Sequence, residues 1–263
     1  MNMFFRELKA NRKALIIWSI CMFLLVASGM SKFTAYTSGG QNDIFKTLPD
    51  SVKALLGFGT LDVTTMSGFF AFLFSYIVLT TAIHAALLGA GIIAKEERDK
   101  TTEFLIPKPV SRGEIFGAKL LAALFNILVI SIVTLFSCII MVGAFNKGEP
   151  ITGEILRLML SMLFVQLIFL SLGILVATFA KKSKGSGSLT TGILLFTFVI
   201  AKVTDITDKL SFLNLLSPFK YFNYDKIVVE GSLNLLAAVL ALLLAAAFAG
   251  SAYYFYQRRD MNI

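Results

Sequence analysis

The stretch Lys119-Leu-Leu-Ala-Ala-Leu-Phe-Asn-Ile-Leu-Val-Ile-Ser-Ile-Val-Thr-Leu-Phe-Ser-Cys-Ile-Ile-Met-Val-Gly-Ala-Phe145 decides the fold. After Lys119 it holds no charged side chain, and its apolar residues are continuous rather than alternating. A helix of about 20 apolar residues crosses the hydrocarbon core of a bilayer. In that solvent every backbone N–H and C=O needs a partner within its own segment or within a closed barrel. Barrel strands alternate lipid-facing and lumen-facing residues. This run has no such alternation, so it reads as a spanning helix.

Five more runs of the same kind lie along the chain, giving approximate spans at 14–33, 69–94, 119–145, 155–180, 187–204 and 233–256. The fifth is the least apolar, diluted by Thr190, Thr191, Gly192 and Thr197. Of the 263 residues 57% are hydrophobic and 15% charged, with a mean hydropathy of +0.80. A water-soluble domain needs more polar surface than that. No internal repeat or low-complexity linker divides the chain. The expected fold class is an all-α integral membrane protein, a single six-helix transmembrane domain over residues 1–263. A cleaved signal peptide is the alternative reading of residues 1–30. The apolar stretch is longer than a usual signal core, and no clear A-x-A site follows it. An uncleaved first helix is expected.

The formal charge is +8, which could suggest nucleic acid, but its placement points elsewhere. Fifteen of the 24 Lys and Arg residues fall in 1–13, 95–119, 181–186 and the C-terminal tail, and nine in the longer remaining connections. The acids divide seven and nine, so the whole surplus lies on one side. Excess Lys and Arg mark the cytoplasmic face. Both termini are therefore expected inside a cytoplasmic membrane, with the surplus serving topology and contact with anionic lipid. Residues Met1–Lys13 are amphipathic, with Phe4, Phe5 and Leu8 on one face and Arg6, Lys9 and Lys13 elsewhere. Such a segment lies in the interface plane. It reads either as an N-terminal elbow helix leading into the first span or as a basic topology anchor.

The second basic connection carries the most information. Between Lys95 and Lys119 it has 11 charges in 25 residues, yet it contains the apolar cluster Phe104-Leu105-Ile106. Pro107 and Pro109 end any helix begun near Glu96, because proline lacks the amide donor and restricts the residue before it. Ser111 and Glu114 have capping-box spacing, which predicts a new helix running into the third span. The expected object is a short charged helix, a proline turn and a second helix entering the bilayer. Apolar anchors flanked by charge are what a partner's groove recognises.

Here the chain resembles the ABC-2 type exporter permeases. The resemblance rests on Glu96/Glu97, Thr101/Thr102, Phe104-Leu105, Pro109-Val110-Ser111-Arg112 and Lys119, together with six spans and a closing Tyr-Phe-Tyr-Gln-Arg-Arg-Asp. It covers essentially the full length, with 96–119 the distinctive part. The chain departs from the pattern at Lys100, where members often have glycine before the threonine. The resemblance implies that this connection is the cytoplasmic coupling helix between the second and third spans, docking on a separate ATPase subunit. Glu96, Glu97, Thr101, Phe104, Leu105, Pro109 and Arg112 would make or shape that contact. It further implies two ATPase copies and a second permease, either the same chain or a paralogue. The turn Lys181-Lys-Ser-Lys-Gly-Ser-Gly187 reads equally as a smaller second contact or as an ordinary topology determinant.

No G-x-x-x-x-G-K-[ST] phosphate loop occurs, so no cofactor is expected on this chain, and ATP with Mg2+ would sit on the partner. The paired Glu96-Glu97 also resembles the glutamates of intramembrane metalloprotease-like families. Those need two histidines on other helices, and this chain has His84 alone. Without that set, or a G-x-S-x-G elbow, enzymatic chemistry is not expected. Cys21 and Cys138 lie inside apolar runs and read as packing residues. An ATP-independent carrier would hold ionisable groups at mid-membrane for ion coupling. Here those positions are nearly uncharged, with His84 the exception.

The second span carries Ser75, Thr80, Thr81 and His84 ahead of the small-residue run Ala85–Gly91. Small residues permit close helix packing, and hydroxyls bond back to the helix's own carbonyls. His84 is either an interhelical hydrogen-bond partner or part of a translocation surface. In related exporters the first, second and fifth spans form the path, which implies a route near Ser75, His84 and Thr197. Asn126 and Gln166 read as interhelical glue. The connection 205–232, with Leu213-Asn-Leu-Leu-Ser-Pro-Phe-Lys-Tyr-Phe222, is too apolar for a free loop and is expected to re-enter the outer leaflet or cap the exit. A path walled by Phe, Leu and Thr suits amphipathic or hydrophobic cargo, peptides foremost. The likeness extends to Gram-positive exporters of amphipathic peptides such as phenol-soluble modulins. Drugs, lipids and polysaccharide precursors are the alternative cargoes.

Overall fold

In a computed structural model the described residues are 3–34, 49, 52–53, 62–98, 111–146, 148, 150–180 and 185–258, excepting the side chains of 96–98, 208 and 225. They form α1 (Met3–Met30), α2 (Met66–Arg98), α3 (Arg112–Phe145), α4 (Thr152–Phe179), α5 (Ser186–Ile206), the short α6 (Tyr224–Val229) and α7 (Leu235–Arg258). No strand occurs among the described residues. Six of these helices, all but α6, are long and apolar enough to cross a membrane. The protein is an all-α integral membrane protein.

Helices α2 and α4 form the centre and share the most extensive packing, with α1 on α3, α7 on α4 and α5 on α2 around them. Accordingly α2 and α4 are buried over most of their length, while α1, α5 and α7 present long apolar faces outward. Ile16, Ile17 and Ile20 of α1 are among these exposed residues, as are Leu195, Phe196 and Val199 of α5 and Leu236 and Leu243 of α7. In hydrocarbon such faces carry no penalty, so packing must come from shape rather than from escape from water.

The central contact shows that shape. A Cβ added at Gly89 would overlap the carbonyl oxygen of Leu170, and one at Gly173 would overlap that of Ala86. The two backbones meet through the small-residue run of α2. Many hydroxyls bond within their own helices: Thr81 donates to Ile77 O at 2.9 Å, Thr134 to Ile130 O at 2.8 Å and Thr190 to Ser186 O at 2.8 Å. Gln166 joins two helices, accepting at Oε1 from Ser131 Oγ at 2.8 Å. Asn126 instead donates to Ala122 O of its own helix at 2.7 Å.

The amphipathic N-terminal segment is not a separate element. It forms the first turns of α1, which continues unbroken into the first span. From Phe4 to Trp18 the chain holds no Gly or Pro to break it. Its apolar face is partly buried against a neighbour rather than lying free in the interface: Phe4 and Leu8 pack on a cluster containing Ile92, Ile115 and Phe116. Phe5, expected on that face, is exposed. Likewise the charged residues after Lys95 continue α2 to Arg98 instead of starting a new helix.

The connection after α5 folds back onto the bundle. It forms 3-10 turns at Asp208–Leu216 and Pro218–Lys220 and then α6. Phe219, Phe222 and Ile227 are buried. Phe222 stacks on Phe164 with centroids 5.6 Å apart, and Phe219 lies 5.2 Å from Phe169.

Candidate functional site

The connection singled out by sequence springs from the ends of α2 and α3. Helix α3 starts where the capping box placed it. Ser111 Oγ accepts from Glu114 N at 3.2 Å, and Glu114 Oε2 accepts from Ser111 N at 2.8 Å. Two of the helix's otherwise unpaired amides are thereby satisfied reciprocally. Arg112, exposed at the first turn, donates from Nη1 to Gln257 O at 3.1 Å, tying α3 to the end of α7. Phe116 packs against Tyr253 and Tyr256, each with centroids 5.5 Å away. Phe179 lies 4.2 Å from Phe255, and the Arg258 guanidinium sits 4.1 Å over the Tyr254 ring. The closing aromatic residues therefore bind the ends of α3, α4 and α7 together.

Glu96 and Glu97 lie in the last helical turn of α2, with side chains outside the described residues. Thr101, Phe104, Leu105 and Pro109 also fall outside them.

At the roots of the connection lies a residue that the sequence reading missed. Glu7 has no exposed surface. Its Oε2 accepts from Lys95 Nζ at 2.6 Å, and its Oε1 lies 4.0 Å from Lys119 Nζ and 3.8 Å from Arg6 Nη2. Lys119 is equally buried and donates to Ile92 O at 2.5 Å. One carboxylate thus joins α1, α2 and α3 where the connection leaves and re-enters the bundle. The signal was helical spacing. Glu7 falls three residues after Phe4 and one before Leu8, on the inward face.

Of the three residues proposed for a path, Ser75 and His84 lie on α2 and Thr197 on α5. Ser75 on α2 donates to Phe72 O at 2.8 Å. Thr197 on α5 donates to Leu194 O at 2.8 Å, and its own carbonyl accepts from Ser217 Oγ at 2.8 Å, fastening the returning connection to α5. His84 is 5% exposed and packs edge-on against Trp18 of α1, with ring centroids 5.1 Å apart. Its Nδ1 has no hydrogen-bond partner among the described residues. At the far end Asp205 pairs with Lys220 and, at 3.8 Å, with Lys202.

No group of three or more metal-ligating side chains occurs among the described residues. Among curated proteins none matches the chain. A family model, the ABC-2 family transporter protein, matches residues 1–261. Family permeases of this kind work with an ABC ATPase and are not themselves catalytic. The chain belongs to the ABC-2 family and is the transmembrane permease subunit of an ABC transporter.

Proposed function

We propose that this permease is the membrane half of an exporter in a bacterial cytoplasmic membrane, with both termini inside. Two copies of a separate ABC ATPase, carrying ATP and Mg2+, would drive a pair of permease chains, identical or paralogous. The family match along 1–261 is the observation that carries the reading. The inside assignment is supported by the basic surplus around 1–13, 95–119 and the C-terminal tail. Residues 96–112 are the docking segment, with Phe104 and Leu105 as apolar anchors and Glu96, Glu97, Thr101, Pro109 and Arg112 shaping the contact. Its support is the placement of that segment between two roots that are held to the bundle by buried charge.

The cargo is amphipathic or hydrophobic, with peptides first. The spans have few charges, and their described hydroxyls largely bond to their own backbone. Such walls favour cargo recognised by apolar contact over a small ion. The phenol-soluble-modulin class of peptide fits that description. To test the cargo, the permease is reconstituted with its ATPase in liposomes, and hydrolysis is followed as a synthetic amphipathic helical peptide is added. The reading expects stimulation by the peptide and none by its scrambled, non-amphipathic isomer. Equal response to both, or response only to added lipid or a hydrophobic drug, moves the assignment to those cargoes.

A further inference from the structure

The segment assigned to docking is anchored at both ends to one side chain of a third helix. Lys95 precedes its first residue, and Lys119 lies about two turns inside α3. Their ammonium groups converge on Glu7, at 2.6 Å and 4.0 Å. Lys119 is also fixed to the backbone of α2 through Ile92 O. Apolar contacts close the site: Phe4 meets Phe125 edge-on with centroids 6.3 Å apart, and Met3 and Leu8 pack on the cluster of Ile92 and Phe116. A carboxylate without solvent cannot release a lysine unless another partner replaces it. The starts of α1 and α3 and the end of α2 therefore move as a unit, or the cluster opens. Because α1 is unbroken to Met30, displacement at Glu7 is carried along it to Trp18, which rests on His84.

We propose that Glu7 is a positioning residue for energy coupling, the strut through which movement of the 96–112 segment is passed to α1. This rests on the docking reading above. Cys21 provides the reporter, since it is exposed on α1 while Cys138 is buried. The permease carrying Cys138→Ala is spin-labelled at Cys21 and purified with its ATPase in lipid nanodiscs. Its electron paramagnetic resonance spectrum is recorded without nucleotide and after trapping with ATP and vanadate.

The parent is expected to change spectrum on trapping. Glu7→Gln should recover the ATPase to within about twofold of the parent while its nucleotide-dependent change falls about fivefold, and Glu7→Asp should restore it. Lys95→Met should reproduce the loss. The Glu7→Gln/Lys95→Met double variant should be no worse than either single one, as expected for two changes acting through one ion pair. An undiminished response in Glu7→Gln overturns the proposal, as does the absence of any response in the parent. Failure of all these variants to assemble also overturns it, since the cluster would then serve folding alone. Failure of the docking reading looks different: the parent recovers no ATPase at all.

Discussion

A carboxylate in an apolar setting persists only where cations and hydrogen bonds replace its water. Glu7 has Lys95 and Lys119, and Lys119 in turn depends on Glu7 and Ile92 O. Removing one partner of such a cluster costs about 3–5 kcal/mol, because a buried charge is left uncompensated. Lys119→Met should therefore lower the melting midpoint of the detergent-solubilised protein clearly, whereas Lys9→Met, at an exposed position of α1, should leave it unchanged. A Lys119→Met protein that melts with the parent removes the cluster as a stabilising feature. His84 presents the contrasting case. It was legible from sequence as the lone histidine, but its edge-on contact with Trp18 of α1 was not, because that contact joins residues 66 positions apart. His84→Leu should alter transport while leaving assembly with the ATPase intact. Unaltered transport would make His84 a packing residue. Glu7 was hidden for a further reason. Counting charges by connection treats every residue before the first span as solvated, and only its spacing from Phe4 and Leu8 places it inward.

At the scale of elements, the sequence was most legible where local chemistry decides. Ser111 and Glu114 mark the start of α3 by reciprocal bonds that need nothing beyond four residues. Ser111→Ala should remove one of these and cost about 1 kcal/mol. The effect should appear as faster amide exchange in the first turn of α3, around Glu114 and Ile115, and exchange equal to the parent's would contradict it. The small-residue run of α2 was likewise readable as a packing face, and Gly89 and Gly173 occupy the points of closest approach. Gly173→Ala places a methyl against the Ala86 carbonyl and should destabilise the α2–α4 pair by about 1–3 kcal/mol. Gly192→Ala, inside α5 with open space around it, should be neutral to stabilising, because alanine favours the helix over glycine. The melting midpoints of the two variants check this contrast. The surroundings of the N-terminal segment were not legible because amphipathicity alone does not say what covers the apolar face. Lipid headgroups and the flank of α3 ask for the same pattern, and tertiary packing selected α3.

Across the whole molecule, apolar length fixes the number of spans and little else in the sequence fixes their arrangement. That α2 and α4 form the centre follows from the glycines at their crossing, whereas α1, α5 and α7 turn Leu, Ile and Phe outward, α7 burying Ala237, Ala238 and Ala241 instead. Hydropathy cannot separate lipid from protein as the neighbour. The proposed orientation is open to a direct check. A single cysteine at Lys182 should react with an impermeant maleimide only after the membrane is opened, and one at Lys147 should react in intact cells. The reverse pattern inverts the protein and places residues 96–111 outside. The central claim is that the permease receives its energy through that connection. It is tested most directly by recovery of the ATPase with the tagged permease carrying Phe104→Asp and Leu105→Asp. The account predicts that recovery falls at least about tenfold, the scale expected when apolar anchors are lost from an interface, while the amount of permease in the membrane is unchanged. Full recovery of the ATPase with the doubly substituted chain would contradict it.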